Sequence, residues 1–336
     1  MRVSMNIDAC RLLGLLIKRL SLAPSSFTDA RFYPSLKCSA DLAVNYFFFM
    51  VAIDHRTGFE GVPFEGLVEG EMFSGAMLLW RLGKLKFDED PEFFTPKRMV
   101  SVTASEVADW LKVEKPYPRE VWDPDVRAFL LRDAATRLVE EYGGSALNLI
   151  RASRGFLFNN GEGLVERLRK FRAYEDPVGK KSFLLVKFLE RRAFISIVDE
   201  DNLEVPVDNH LSRVALRLGL VSVDEDTLDK IMRREEFTPA EDYAMRMRIK
   251  EAYKLTSAFA KIKPTLLDDF LWLLGKTCCS QETPVCASGC SRDRCPLLDL
   301  IGDCRGECIL APVCRARSDP KLQLLPEHKF TNTWYY

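Results

Sequence analysis

The sequence predicts a mainly α-helical protein of two lobes, followed by a short cysteine-rich segment. Apolar residues recur at helical spacing along most of the chain, whereas strand signals are sparse. The 336 residues, 47% of them hydrophobic, are enough to form a sizeable core in two lobes. Eight of the ten cysteines lie between Cys278 and Cys314, which sets the C-terminal part apart from the body.

The first part of the chain, up to residue 118, is predicted to contain four helices. They are expected at residues 5–20, 40–53, 71–82 and 103–111. The second of them is apolar on nearly every side, which predicts deep burial. Four glycines between residues 58 and 70 predict a turn-rich connection with a short hairpin. Thr103 and Glu106 have the spacing of a capping box.

The rest of the body is predicted as a second series of helices. Asp123-Pro124 begins one with proline in its first turn, and Gly143-Gly144 ends it. Further helices are expected at residues 145–154, 163–174, 180–194, 208–219, 224–233, 239–259 and 265–274. A break at Lys115-Pro116-Tyr117-Pro118 is a candidate lobe boundary. The expected division is a helical body (1–275, with lobes of about 1–118 plus 208–275 and of 119–207), a cysteine-rich segment (276–318) and a tail (319–336).

The charge balance and the targeting signals indicate which partners and which location to expect. The chain has 48 Lys and Arg against 49 Asp and Glu, so nucleic-acid binding would require a local basic patch. The apolar run near the N-terminus is flanked by Asp8 and Lys18 and is followed by no small-residue cleavage site, which favours an amphipathic helix over a signal peptide. No run reaches the roughly 18 apolar residues of a membrane span. We expect no membrane partner and a cytoplasmic, reducing location.

Asp208 stands at the predicted start of the helix that Gly219 ends. The apolar residues of this helix form one stripe, Leu211, Val214, Ala215 and Leu218. Backbone N–H groups and the helix dipole would hold the Asp208 carboxylate ionised. Such a residue is either an ordinary helix cap or an acid that stays charged while a cation develops beside it.

Three motifs around Asp208 resemble the endonuclease III branch of the helix-hairpin-helix DNA glycosylases. Residues 207–219 resemble its V-D-T-H…R-V…R segment, 178–182 resemble the V-G-R-K-T-A run that ends its hairpin, and 272–279 resemble the entry to its iron–sulfur loop. The resemblance implies that Asp208 is catalytic and that Lys181 is the Schiff-base lysine. One departure concerns the hairpin, normally L-P-G-x-G, because Asp176-Pro177-Val178-Gly179 keeps a single glycine. Such glycines let backbone N–H groups approach a DNA phosphate.

The N-terminal half is similar to another family, the queuosine-salvage nucleosidases. The similarity is carried by Asn45 to Phe49, Glu69 to Glu71, Phe73 to Gly75, Asp90-Pro91, Thr103 to Leu111, Tyr142 to Ser145 and Lys180 to Phe183. That family also uses an aspartate to cut an N-glycosidic bond. Both resemblances therefore imply the same reaction.

Cleavage of a base–sugar C1′–N bond passes through an oxocarbenium-like state, which an ionised carboxylate stabilises. A neutral Lys181 amine could instead attack C1′ and give lyase chemistry. That requires a pKa lowered by burial or by a neighbouring cation such as Lys180. Candidate base or nucleoside contacts are Asn45, Phe47, Phe49 and Trp80, for which core packing is the alternative.

The cysteine-rich segment predicts a metal centre, since a dense group of thiols in a reducing compartment indicates ligation rather than disulfides. One register repeats the first interval of the family's loop and comprises Cys279, Cys286, Cys290 and Cys295. The other resembles the end of that loop and comprises Cys304, Cys308 and Cys314 with Cys295 or an earlier cysteine. Eight thiols could also hold two sites. We expect a [4Fe–4S] cluster, with zinc as the alternative.

Three functions follow from these patterns. The first is a base-excision DNA glycosylase acting on damaged DNA, with Lys-dependent lyase activity as an extension. The second is an N-glycosidase of a queuosine-type modified nucleoside or nucleotide. The third is a non-enzymatic iron–sulfur protein that binds nucleic acid, in which Asp208 is only a cap.

Overall fold

The structure, a computed structural model, describes residues 1–59, 61–290, 295–302, 304 and 306–336. Within these ranges it contains sixteen α-helices and only short strands, which confirms the mainly α class. The chain forms two compact units. The first unit is Met1–Ser25 with Leu203–Thr333, and the second is Ser26–Asn202 with Trp334–Tyr336. No helix in the described ranges is long and apolar enough to span a membrane.

The first unit is built around four helices that share one apolar core. Its α-helices are Ile7–Ile17, Asn209–Leu218, Glu225–Met232, Pro239–Ala260, Pro264–Thr277, Val285–Ser288, Leu298–Ile301 and Pro320–Gln323, with a 3₁₀ turn at Arg315–Arg317. Helix Ile7–Ile17 lies along Pro239–Ala260, and Asn209–Leu218 packs against both Pro239–Ala260 and Pro264–Thr277. Strand Val3–Met5 pairs antiparallel with Val221–Val223, so that Val3 faces Val223.

The second unit is built around helix Ala40–Ala52, whose residues from Ala43 onward are all buried. The other α-helices are Ala76–Glu89, Pro96–Met99, Ala104–Trp110, Pro124–Tyr142, Ala146–Ala152, Leu164–Leu168 and Lys180–Arg191, with 3₁₀ turns at Pro91–Phe94, Arg172–Tyr174 and Glu200–Asn202. Three antiparallel ribbons join Gly58–Phe59 to Val62–Pro63, Glu65–Val68 to Glu71–Ser74, and Lys112–Val113 to Arg119–Glu120. The all-round apolar pattern of residues 40–53 thus predicted its burial correctly.

The predicted lobe boundary differs from the observed division. Residues 26–118 belong to the same unit as 119–202, and not to the unit that contains 208–275. The prolines at 116 and 118 lie in the turn between strands Lys112–Val113 and Arg119–Glu120. A proline-rich break therefore marks a ribbon turn here rather than a boundary between units.

The helix expected at residues 71–82 begins later than predicted. Strand Glu71–Ser74 pairs with Glu65–Val68 across a turn at Glu69-Gly70, and the helix runs over Ala76–Glu89. Gly75, at φ +59° and ψ −135°, makes the transition, a backbone conformation that is open to glycine and disfavoured for other residues. The helical spacing of apolar residues cannot show such a transition in advance.

Candidate functional site

Asp208 caps helix Asn209–Leu218, as the sequence predicts. Its Oδ1 accepts the N–H of Leu211 at 2.7 Å. The helix ends at Gly219, which has φ +77°. The residues of the predicted stripe are all buried. The carboxylate therefore lies at the positive end of a helix dipole that is fixed in the core of the first unit.

Only one oxygen of the Asp208 carboxylate is used by the cap. Oδ2 has no hydrogen-bond or ion-pair partner among the described residues, and the side chain is partly exposed. On the inner side of the helix, the Tyr253 hydroxyl donates to the Leu211 carbonyl at 2.7 Å. The helix start is thus held rigidly, while one carboxylate oxygen stays available to a ligand.

His210 lies in a polar network that faces away from the cap. The Arg213 guanidinium, which can only donate, lies 2.9 Å from His210 Nδ1. Nε2 lies 3.2 Å from the Trp272 carbonyl, and Nδ1 lies 3.5 Å from Oε1 of Glu327. Glu327 also joins this network, accepting from Asn209 Nδ2 at 2.6 Å. Burial opposes ionisation of Glu327, but the neighbouring His210 and the Arg213 charge outweigh it and lower the Glu327 pKa to about 2. His210 is therefore a structural residue.

Arg217, on the same helix, connects the body to the cysteine-rich segment. Its side chain is buried and donates to the carbonyls of Ser280 at 2.7 Å, Gln281 at 2.9 Å and Leu325 at 2.9 Å. Its NH1 lies 3.5 Å from the Sγ of Cys279. A permanent positive charge is therefore fixed beside a thiol, two turns from Asp208.

A pocket in the first unit is lined by five thiols. The cysteines are Cys278, Cys279, Cys286, Cys308 and Cys314, together with two arginines and apolar side chains. The cavity among these side chains is small, about 20 Å³, and opens to solvent. Burial raises the pKa of Cys308 to about 12 and those of Cys278 and Cys314 to about 11. A bound cation would reverse this preference and favour the thiolates.

The chemistry of the donors tests which metal the pocket suits. Its metal-binding side chains are thiols alone, a donor set typical of iron–sulfur clusters and structural zinc. Across the described ranges, no three His, Cys, Asp or Glu side chains are close enough to hold a single metal ion. The donor set is common to both kinds of centre.

The pocket combines parts of both predicted registers. It includes Cys279 and Cys286, the first interval of one register, and Cys308 and Cys314, the last interval of the other. Cys290, Cys295 and Cys304 do not line it. The sequence offered these intervals as alternatives because a long stretch of chain separates Cys286 from Cys308. Spacing alone does not show that both intervals line one pocket.

Lys181 lies in the second unit, fully buried at the start of helix Lys180–Arg191. Its Nζ donates to the Ala52 carbonyl at 2.6 Å and lies 3.1 Å from His55 Nδ1. Burial, followed by the charges of Lys180 and Arg127, lowers the Lys181 pKa well below 10.5. Burial and a neighbouring cation, the two causes that the sequence suggests for a lowered Lys181 pKa, are therefore both present. The contact with the carboxyl end of helix Ala40–Ala52 also gives Lys181 a structural role.

His55 is a buried residue that the sequence did not single out. Its Nε2 is buried and has no hydrogen-bond partner in the part of the chain that the structure describes. Beside it, Lys180 Nζ donates to the Asp54 carbonyl at 2.9 Å, and Trp80 Nε1 donates to an Asp54 carboxylate oxygen at 3.4 Å. A single histidine that follows an apolar helix matches no functional motif. Its contact with Lys181 arises only from the fold.

His55→Gln should make the protein less sensitive to acid. Burial, followed by the charges of Lys181 and Arg127, lowers the His55 pKa well below 6.5. The unfolded chain therefore takes up a proton below pH 6.5 that the folded chain does not. This costs up to about 1.4 kcal/mol of unfolding free energy per pH unit as pH falls. Glutamine keeps an acceptor for Lys181 and removes this loss of stability.

Urea unfolding at about pH 7.5 and 5.5 measures the unfolding free energy of both proteins. Equal pH dependence in both proteins would contradict the argument.

The residues predicted to contact a base are packed inside the second unit. They are Asn45, Phe47, Phe49 and Trp80, each at most 4% exposed. Asn45 accepts the N–H of Ala146 at 3.0 Å, and the Phe47 ring stacks on Phe188 with centroids 5.2 Å apart. These contacts give the four residues a packing role, and contact with a base stays a prediction.

In the segment that resembles a glycosylase hairpin, the side chain of Asp176 accepts hydrogen bonds from the backbone of the same segment and so closes it. The Asp176 carboxylate is fully buried and accepts the N–H of Val178 at 3.1 Å and that of Lys180 at 2.8 Å. Backbone N–H groups of this kind are the donors that hold phosphates in nucleic-acid complexes. In this chain an internal carboxylate takes two of them.

Asp208 and Lys181 belong to different units, Asp208 to the first and Lys181 to the second. No protein-family model matches the chain, and no curated protein matches it either. The functional argument therefore rests on the residues themselves.

Proposed function

We propose that this protein is an N-glycosidase that cleaves a base–sugar C1′–N bond, with Asp208 as its acidic residue. The observation that carries the proposal is the divided role of this carboxylate. One oxygen is held by the N-terminus of a buried ten-residue helix, and the other has no partner among the described residues. The cap needs only one oxygen, so the second is available to a substrate.

The proposed chemistry follows from this position. A carboxylate fixed at the helix start stabilises the oxocarbenium-like state as the base departs. The free oxygen can also orient the water that attacks C1′. The carboxylate need not move during the reaction, because its cap holds it in place.

Lys181 supports lyase chemistry less directly. Its lowered pKa favours the neutral amine that attack on C1′ requires. Its Nζ is fully buried, however, and would have to leave the Ala52 carbonyl and His55 before it could reach a sugar. We therefore propose hydrolysis as the main reaction, with lyase activity as a secondary one.

We further propose that Cys279, Cys286, Cys308 and Cys314 hold a [4Fe–4S] cluster. Thiol-only donors around a pocket, with the Arg217 charge beside Cys279, support this choice. When bound, the cluster would supply a structural link between the cysteine-rich segment and the body. Arg217 then offsets part of its negative charge.

The substrate class has two candidates. The Asp208 segment and the cysteine-rich segment favour a base in damaged DNA. The Asp176 contacts favour a modified nucleoside or nucleotide, because two backbone donors that could hold a DNA phosphate are already occupied. The near-neutral charge of the chain, −1, agrees with the second candidate.

A base-release assay tests the proposal across damaged duplexes and modified nucleosides. We expect release of a free base from at least one modified nucleoside or nucleotide. Adding borohydride to the same reactions traps any imine formed by Lys181. Release without a trapped adduct supports hydrolysis, whereas release from no substrate would leave the non-enzymatic interpretation.

Duplex binding separates the two substrate classes. If Asp176 closes the hairpin, affinity for damaged duplex should be weak and change little between about 50 and 200 mM salt. Phosphate contacts would instead make affinity fall steeply over this range, by about 10³-fold or more for six contacts. A steep dependence would assign the protein to the DNA glycosylases. Binding of the same strand without the duplex partner serves as the control.

A further inference from the structure

The second unit carries a basic stretch, residues 151–172, that the proposed reaction does not use. The stretch contains six Lys or Arg and two Glu, in a chain whose net charge is −1. Four of its cations are exposed and form no ion pair with the described residues: Arg151, Arg154, Arg169 and Lys170. A local patch of this kind is what nucleic-acid binding requires in a chain without an overall basic excess.

The carboxylates near the basic stretch are already engaged within the unit. Glu162 forms an ion pair with an arginine of the stretch. The carboxylate of Glu166 accepts two backbone N–H groups of the loop of residues 154–163, and that of Asp199 accepts two more. Glu166 also interacts with Arg169, which offsets part of one charge. These contacts fix the loop and leave most of the exposed positive charge uncompensated.

The loop places an aromatic ring beside one of the exposed cations. The N–H of Leu164, at the start of helix Leu164–Leu168, bonds to the Phe156 carbonyl at 2.8 Å and so holds the loop against the helix. The Arg169 guanidinium, which follows the helix, lies over the Phe158 ring at 5.7 Å from its centroid. This distance is within the range of a cation–π contact.

A second arginine of the basic stretch lies over an aromatic ring of the C-terminal tail, which belongs to the same unit. The Arg172 guanidinium is 5.6 Å from the centroid of the Trp334 ring, and the Trp334 indole N–H donates to the Arg172 carbonyl at 2.8 Å. Arg172 also pairs with Glu175 at 2.9 Å. Phe158 and Trp334 are both partly exposed, so each ring keeps some surface that a ligand can reach.

Two arginine–aromatic pairs beside exposed cations match the chemistry of a single nucleic-acid strand. Guanidinium and ammonium groups bind phosphates. Aromatic rings stack on unpaired bases with little regard to sequence, because every base has a π-face. A duplex offers the same phosphates but keeps its bases stacked inside, so the rings contribute to binding only when the strand is single.

We propose that this arginine–aromatic surface binds a single strand of RNA or DNA. Its residues are Arg151, Arg154, Phe158, Arg169, Lys170 and Trp334. The four cations contact phosphates, and the two rings stack on bases. The surface goes beyond the glycosidase reaction and does not depend on Asp208, since it holds a strand whether or not a base is released.

Fluorescence anisotropy of the full chain tests the proposal with labelled oligo(dT) and oligo(U) strands of about 12 nucleotides. Four phosphate contacts predict that affinity falls about 50-fold between about 50 and 200 mM salt, because each contact contributes about −0.7 to the slope. Arg151→Gln and Lys170→Gln should each weaken binding and reduce the slope by about 0.7. Phe158→Leu should weaken binding about fivefold or more and leave the slope unchanged, since it removes stacking and no charge.

Lys37→Gln is the matched control, because it removes an exposed cation from another segment of the same unit. Its binding should equal that of the unaltered chain, and circular dichroism of all variants should show an intact helical fold. Binding of neither strand at about 50 mM salt would overturn the proposal. Equal weakening by Lys37→Gln and Lys170→Gln would also overturn it, as would binding of a duplex as tightly as a single strand with no effect of Phe158→Leu.

Release of a base from a free nucleoside separates this proposal from the glycosidase proposal. A free nucleoside has no phosphate for the surface to hold, so Lys170→Gln and Phe158→Leu should release its base at the unaltered rate. Loss of strand binding with intact release, or the reverse, shows which of the two proposals fails. A preference for RNA over DNA among the bound strands would assign further contacts to the 2′-hydroxyl.

Discussion

Asp208→Asn is expected to reduce base release on the order of 10²–10³-fold or more, while the chain stays folded. Asparagine has nearly the same size and is an equally good helix cap, so the contact with the Leu211 N–H can persist. What it removes is the negative charge that stabilises the developing cation. Release rates with saturating substrate, together with urea unfolding, measure the two effects apart.

Asp224→Asn is the matched control for this variant. Asp224 caps helix Glu225–Met232 in the same unit and accepts the N–H of Thr227 at 2.9 Å. Its substitution likewise replaces the carboxylate of a helix cap by an amide, at a cap whose second oxygen accepts the N–H of Arg2. It does not touch the proposed site, so base release should be unchanged. If both variants release base at the unaltered rate, Asp208 is a cap only, and the glycosidase proposal fails.

Arg217→Gln is expected to lower the free energy of unfolding by at least about 3 kcal/mol. The guanidinium serves the carbonyls of Ser280, Gln281 and Leu325 at once. Each buried acceptor left without a donor costs about 1–3 kcal/mol, and glutamine can reach no more than one or two of them. The variant should also retain less iron, since the contact beside Cys279 is lost.

Arg233→Gln provides the comparison for Arg217→Gln. Arg233 is exposed and pairs with Glu235 at 2.5 Å, an interaction of a kind that contributes about 1 kcal/mol or less. Its substitution should leave both the unfolding free energy and the iron content almost unchanged. Similar effects of the two variants would show that Arg217 does not hold the cysteine-rich segment.

Local signals allowed the sequence to predict the helix behind Asp208 and several others. An N-cap, one apolar stripe and a terminal glycine specify helix Asn209–Leu218 within a single stretch of chain. The Thr103 and Glu106 capping box is formed by both of its hydrogen bonds. Such features depend on neighbours a few residues away, which is why spacing alone predicts them.

Features that depend on distant residues were not predictable in this way. The contact between Lys181 and His55 joins residues 126 positions apart, and nothing in either local sequence indicates it. The closing of the hairpin by Asp176 depends on the conformation of Gly179, at φ +83°. The grouping of the cysteines was left open for the same reason, because spacing gives intervals and only the fold shows which intervals meet.

The division of the chain has a consequence for its synthesis. The second unit is inserted in the first, since residues 26–202 lie between Met1–Ser25 and Leu203–Thr333. Strand Val3–Met5 must therefore wait on the ribosome until Val221–Val223 has been made. The inserted unit can fold during this interval, whereas the apolar side of Ile7–Ile17 stays uncovered. The newly made N-terminal helix is therefore exposed to aggregation and to chaperones during this interval.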